Sequence, residues 1–123
     1  MRHNLRDPAQ FQYVYRQGKR YDGEFVSVFV ITNEELHHRL GVTASKKAIG
    51  KSVQRNRAKR LLREAFRFNE LSLQALSKKY DWVLNAKSTL LDVKLNSPAQ
   101  EIAGIIDRVG KSEIKTDVLP PAE

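Results

Sequence analysis

Nine basic side chains fall between Lys46 and Arg67: Lys46, Lys47, Lys51, Arg55, Arg57, Lys59, Arg60, Arg63 and Arg67. They stand against a single acid, Glu64. Side chains of these types at this density are suited to holding phosphates, because a guanidinium fork takes two phosphate oxygens at once and an ammonium adds a mobile point charge. Elsewhere the charges nearly cancel, with six basic and five acidic residues in 1–45 and seven and eight in 68–123, so the formal net charge of +8 resides in this stretch. A charge confined to one short element makes a directed electrostatic face, and nucleic acid is the polyanion such a face most often meets.

Bond-breaking chemistry has no comparable constellation. A nuclease acting alone needs clustered carboxylates around Mg²⁺ or a histidine acid/base pair, and the acids here are scattered. Glu34-Glu35-Leu36-His37-His38 groups four possible ligands in what reads as a loop, where neighbouring side chains cannot all converge on one ion. Whether Glu34, Glu35, His37 and His38 bind any ion stays open at this point. The sequence contains no cysteine, which excludes disulfides, thiolate metal sites and cysteine nucleophiles.

The basic stretch needs a helix to position it. From Ser52, read as N-cap, to Phe68 there is no Gly or Pro, and good helix formers dominate. At helical spacing Leu61, Ala65, Ala58, Leu62 and Phe68 gather in one arc, while Asn56, Lys59, Arg60, Arg63 and Arg67 lie opposite. Ordinary solvated faces mix signs, because like charges four residues apart repel. Here Lys59, Arg63 and Arg67 follow one another at that spacing. Arg57, nearer the flank, is equally readable as an ion-pair partner of Glu64.

The rest of the chain, 123 residues in all, reads as one domain spanning 1–112 with a flexible tail over 113–123. Asp7-Pro8-Ala9-Gln10 has the grammar of a helix start, ending at Gly18, with Phe11, Val14 and Tyr15 on one side. Lys19 to Tyr21 predicts a short strand and Phe25 to Ile31 a longer one, with Val26, Val28 and Val30 on the core face and Phe25, Ser27 and Phe29 on the other. Arg39 to Ser45 is expected to be its antiparallel hairpin partner across the loop 32–38.

Leu71, Leu73 and Leu76 are expected to pack down, Tyr80 to Ala86 to form a last strand, and Ser97-Pro98 to open a helix striped by Ile102, Ile105, Ile106 and Val109 that stops at Gly110. Lys111 onward is expected to be a mobile tail. The N-terminus has no apolar leader, and the longest mostly apolar run, Phe25 to Ile31, is far short of the roughly 20 residues of a membrane span. The expectation is a cytoplasmic protein that does not meet a membrane.

At this point the residues carry a resemblance. Ser45-Lys46-Lys47, Ile49-Gly50, Val53 and the run Arg55-Asn56-Arg57-Ala58-Lys59-Arg60-Leu61-Leu62-Arg63-Glu64 are similar to the signature segment of the bacterial ribonuclease P protein subunit family. Leu5, Phe11, Val14-Tyr15 and Gly18, then Arg39-Leu40-Gly41-Val42-Thr43 and Tyr80-Asp81, extend the similarity over nearly the whole chain. The resemblance implies an α+β fold in the order α-β-β-β-α-β-α, with a four-stranded mixed sheet and the left-handed βαβ crossover of a ribosomal-protein domain.

It also implies a role. In that family an RNA subunit using Mg²⁺ is the catalyst of the endoribonuclease, and the protein assists removal of the 5′ leader from precursor tRNA. Arg55, Asn56, Arg57, Lys59, Arg60, Arg63 and Arg67 would then meet the catalytic RNA. Phe11, Tyr15, Phe25 and Phe29 would form an aromatic floor for unpaired leader bases, with Lys19, Arg39, Lys46 and Lys47 along the backbone. The competing arrangement is a first helix that merely covers the sheet and buries all four rings.

The implied partners are ribonuclease P RNA and precursor tRNA, with no obligate protein partner and no metal held by dedicated protein ligands. Asn4 stands where the family commonly has Arg. Asn85 interrupts the apolar run of the last strand, suggesting an edge or a wet pocket. Three rival readings are a ribosomal or ribosome-assembly protein, a helix-turn-helix DNA binder lacking its partner helix, and a self-sufficient nuclease.

Overall fold

The computed structural model describes residues 3–117. Helix α1 (Pro8–Gln17) starts as its sequence dictates: the Asp7 carboxylate accepts from the Ala9 amide at 3.1 Å, and the Gln10 side chain accepts from the Asp7 amide at 3.2 Å. Strands β1 (Lys19–Asp22), β2 (Val26–Thr32) and β3 (Arg39–Thr43) follow, then the short helix α2 (Lys46–Ile49), the basic helix α3 (Ser52–Phe68), α4 (Glu70–Gln74), β4 (Tyr80–Ala86), a 3₁₀ turn over Ser88–Asp92 and the long α5 (Asn96–Asp117).

The four strands form one mixed sheet in the order β1-β2-β4-β3. β2 and β3 therefore do not form the expected hairpin. β4 lies between them, antiparallel to β2 (Phe29 opposite Val83) and parallel to β3 (Gly41 opposite Val83), so α3 belongs to the β3–β4 crossover. The physical reason is that β4 is buried on both faces, its apolar Tyr80, Trp82, Leu84 and Ala86 on one and Asp81 and Val83 on the other, and a central position gives it partners on both edges as well. Tyr80, Trp82, Leu84 and Ala86 face the main core, and Val83, fully buried, faces the other way beneath Val14 and Leu5. Asn85 is thus on a central strand rather than at an edge.

Helices α3 and α5 cover the face of Val26, Val28, Val30, Val42 and Trp82, contributing Ala58, Leu62, Ala65, Phe66, Ile102, Ile105, Ile106 and Val109. Helix α1 covers part of the opposite face, where Phe11, Phe29 and Ile31 pack around Leu5, Val14 and Val83. Residues 3–5 run beside β3, with Leu5 N–H donating to Leu40 O and Leu40 N–H to His3 O, both at 2.9 Å.

Several local expectations differ from the fold. Ser45 ends no strand; its hydroxyl accepts from the Ala48 amide at 3.0 Å and caps α2, while Ser52 is the first helical residue of α3 rather than its cap. Gly50, at φ 109°, turns the chain between α2 and α3 in a conformation that side chains disfavour. Phe68 and Leu71 are 72% and 81% exposed instead of packed, because the Asn69 cap breaks the helical phase where α3 outruns the core.

Helix α5 does not stop at Gly110 but continues to Asp117. The buried Glu113 carboxylate accepts from Ser77 N (2.9 Å), Ser77 Oγ (3.0 Å), Lys78 N (3.1 Å) and Tyr80 Oη (2.5 Å). An expected tail beginning at 113 is thus helical through 117, and 118–123 lie outside the described residues.

Candidate nucleic-acid interface

Helix α3 buries Ala58, Leu62, Ala65 and Phe66 and turns Asn56, Arg57, Arg60, Arg63 and Arg67 to solvent, with Lys59 and Arg55 half-buried. Among the described residues none of these cations forms an ion pair. Arg57 does not pair with Glu64, and Glu64 has no basic partner. Arg55 donates through Nη2 to Ser52 Oγ at 3.1 Å, while its buried Nε has no partner. An array of unneutralised like charges is repulsive within the free protein and is relieved by a polyanion, whose condensed counterions are released on contact.

The second surface is the sheet face beside α1. Strand alternation puts Arg39, Gly41 and Thr43 of β3, Asp81, Val83 and Asn85 of β4, and Ser27, Phe29 and Ile31 of β2 on that side. Phe11 lies over Gly41; a Cβ built there would sit 2.5 Å from the Phe11 ring, which is why this strand position carries glycine. Tyr15 meets Phe29 edge to face at 4.9 Å, and Phe11 and Phe29 are half-buried while Tyr15 is 37% exposed. α1 therefore covers one end of the face and leaves Asn85 and Thr43 half-exposed, while Ser27 in the same row is buried and donates to Asp22 at 2.6 Å; Lys46 and Lys47 are exposed on α2, which follows β3 in the chain.

Two of the residues expected at this surface, Phe25 on its floor and Lys19 along the leader backbone, lie elsewhere. Phe25 precedes β2 and packs against the main core, its amide held by Glu101 at 2.9 Å. Lys19 pairs with Val30 and shares the core side of β1 with buried Tyr21, its Nζ 5.2 Å from that ring. The alternation instead delivers Arg20, opposite Phe29, whose guanidinium lies 5.3 Å from the Phe29 ring. Arg39 faces the right side but is clamped by Asp81 through two 2.7 Å bonds, which raise its pKa further above its ordinary value.

The ribonuclease P family model matches residues 1–110 of the chain. The chain belongs to the ribonuclease P protein family. The ribonuclease P protein component of Clostridium botulinum (strain Langeland) is 34% identical over 86% of this chain and 93% of its own. The ribonuclease P protein of Thermotoga maritima superposes with a TM-score of 0.74 at 27% identity, covering 87% of this chain and 97% of that one. The Staphylococcus aureus protein, at 24% identity and a TM-score of 0.72 over 89% of this chain, shares the fold. Membership in the ribonuclease P family makes the chain an RNA-binding protein of tRNA processing.

Within this ribonuclease P fold the sequence reading missed a polar node. Tyr15 Oη (2.8 Å) and Thr43 Oγ1 (2.6 Å) both donate to Asn85 Oδ1, which fixes the amide and, among the described residues, leaves its NH₂ without a protein acceptor. Its signal was the polar interruption at Asn85.

The loop histidines have structural partners. His38 Nδ1 accepts from the Tyr80 amide and Trp82 Nε1, both at 3.1 Å, so its Nε2 carries the proton and donates to Leu73 O at 3.1 Å. Burial holds its pKa below the ordinary value. His37 stacks on His3 with ring centroids 3.8 Å apart. Among the described residues no group of His, Asp or Glu is placed to hold a metal ion, Glu34 and Glu35 included, and no helix is long and apolar enough to cross a membrane.

Proposed function

We propose that this chain is the protein subunit of a ribonuclease P holoenzyme, holding the catalytic RNA on the front of α3 and the 5′ leader of precursor tRNA on the open sheet face. The observation that carries this reading is the exposed, unpaired row Arg57, Arg60, Arg63 and Arg67, with Asn56 among them. Guanidinium forks there meet phosphates in pairs, and Asn56 can address a base or sugar edge. Bond cleavage and the Mg²⁺ it uses belong to the RNA subunit in this reading.

On the sheet face, Tyr15, Phe29 and Phe11 supply ring surface for unpaired bases, and the free amide protons of Asn85 supply a donor beside them. Arg20, Lys46 and Lys47 neutralise backbone phosphates, which leaves Lys19, Phe25 and Arg39 as supports. A mature tRNA, lacking the leader, gains nothing from this face, so the arrangement favours substrate over product. The cytoplasm, where precursor tRNA is met, is the expected compartment.

Reconstitution of the full chain with a bacterial ribonuclease P RNA at low Mg²⁺ tests the proposal. The chain is expected to restore leader removal, and Arg60→Ala to weaken RNA affinity and flatten the salt dependence of log K by about one unit. An unchanged salt slope would put the front of α3 in solvent. Cleavage of precursor tRNA by the protein with no RNA subunit present would instead make it a nuclease in its own right.

A further inference from the structure

A cavity of about 480 Å³ opens between residues 3–4, the β2–β3 loop, the C-terminal half of α3 and α4. Its size falls within the roughly 300–1,000 Å³ of small-ligand sites. Three kinds of group line it. Arg63, Arg67 and Lys79 outnumber one acid, Glu70, and neither arginine forms an ion pair with it. Leu40, Phe66 and Leu73 give an apolar wall, and Gln74 adds an amide. The exposed His37 ring carries the His3 ring parallel to it, at 8° and 3.8 Å, the way one planar heterocycle stacks on another.

We infer that this cavity binds a single phosphorylated nucleotide, its base against His37 and the apolar wall and its phosphate at Arg63 and Arg67. A site for phosphate alone has no use for the apolar wall, and a site for an apolar ligand has none for three cations. A flat heteroaromatic ring joined to an anion uses all three groups, and Glu70 and Gln74 can exchange hydrogen bonds with a base edge. The stacked His3 imidazole occupies the place a base would take and is held by one strand of N-terminal chain, so the incoming ring replaces it or extends the stack.

The nucleotide can come from solution or from an unpaired position in an RNA strand; the second source rests on the proposed RNA-binding role of α3. A second, smaller cavity of about 260 Å³ shares Asn4, Leu40 and Arg63 with the first and gives a strand a path onward past Arg6 and Phe11.

Calorimetric titration of the full chain with adenosine 5′-monophosphate, inorganic phosphate and an adenosine trinucleotide that carries only its two internal phosphodiesters tests the inference. The mononucleotide is expected to bind at least tenfold more tightly than phosphate, Gln74→Trp, which fills the cavity from an exposed position, to abolish the binding, and Lys94→Ala, an exposed cation outside the cavity and outside both RNA surfaces, to retain it. Tighter binding of the trinucleotide assigns the site to a strand; tighter binding of the mononucleotide assigns it to a free nucleotide. Phosphate binding as well as the mononucleotide, or a Gln74→Trp chain that binds like the parent, would overturn the inference. A chain that assembles with the RNA subunit yet binds neither nucleotide removes this site alone. Nucleotide binding without any affinity for the RNA subunit removes the functional reading and leaves the site.

Discussion

Tyr15 donates its hydroxyl proton to Asn85 across 70 residues of sequence, and the same oxygen receives Thr43. This bond fastens α1 to the centre of the sheet beside the half-exposed Asn85 and Thr43. Tyr15→Phe keeps the ring against Phe29 and removes only the hydroxyl. A partly exposed hydrogen bond is worth about 0.5–1.5 kcal/mol. The expected result is a small loss of stability and a few-fold loss of holoenzyme affinity for precursor tRNA with a leader, with affinity for mature tRNA unchanged. Equal losses for both RNAs would remove the ring from the leader surface.

Gly41→Ala puts a methyl group into the Phe11 ring. Either the ring moves or the strand does, and such overpacking costs about 1–3 kcal/mol. Urea unfolding is expected to show that loss. Gly41→Ala combined with Phe11→Leu is expected to recover part of it, since the shorter side chain vacates the space. A single variant as stable as the parent would mean the ring is not seated on β3.

His38 predicts a pH effect with a definite sign. Its folded pKa is depressed by burial, so the unfolded chain takes up a proton first as pH falls through about 6.5. Stability is therefore expected to decline from neutral pH toward the depressed folded value. His38→Asn can keep an acceptor for Tyr80 N–H or Trp82 Nε1–H without a titrating ring; its melting temperature is expected to be lower at pH 7 but flat over the range where the parent declines. A parent curve flat between pH 7 and 5 would refute the assignment.

Glu113 acts in a lower window. Burial alone would raise its pKa, but the Tyr80, Ser77 and Lys78 donors overcome this and hold it below its ordinary value. A depressed carboxylate stabilises above its unfolded pKa of about 4.3 and loses that contribution as pH falls through the folded value. Glu113→Gln retains shape but not charge, and hydrogen bonds to a charged group are worth about 1.5–3 kcal/mol. Denaturant midpoints at pH 7 are expected to fall accordingly, with the parent and variant converging in strong acid.

The three longer helices were legible in the sequence because their signals are local. Asp7-Pro8, the unbroken run from Ser52 and the isoleucine spacing of α5 each specify an element without reference to the rest of the chain. The alternation of Val26, Val28 and Val30 likewise told which face of β2 is the core. Strand adjacency was not legible, because β4 displaces β3 from β2 by virtue of burial on both of its sides, a property of the assembled sheet. The same limit explains the cleft. Lys19 and Arg20 differ only in which side of β1 they leave from, and that parity is fixed by Tyr21 entering the core. Phe25 looks like the next step in an alternation, yet the strand begins one residue later.

The placement of β4 at the middle of the sheet also dictates an order of events when the chain is made. Strands β2 and β3 are made before β4 and are not neighbours in the finished sheet, so each lacks its native partner on one hydrogen-bonding edge until Ala86 has been added. During that interval the polybasic helix already exists, while the scaffold that will aim it does not. A nascent chain halted before Tyr80 is thus cationic and has at most the β1–β2 ribbon of its sheet, and is vulnerable to nonspecific capture by any polyanion nearby.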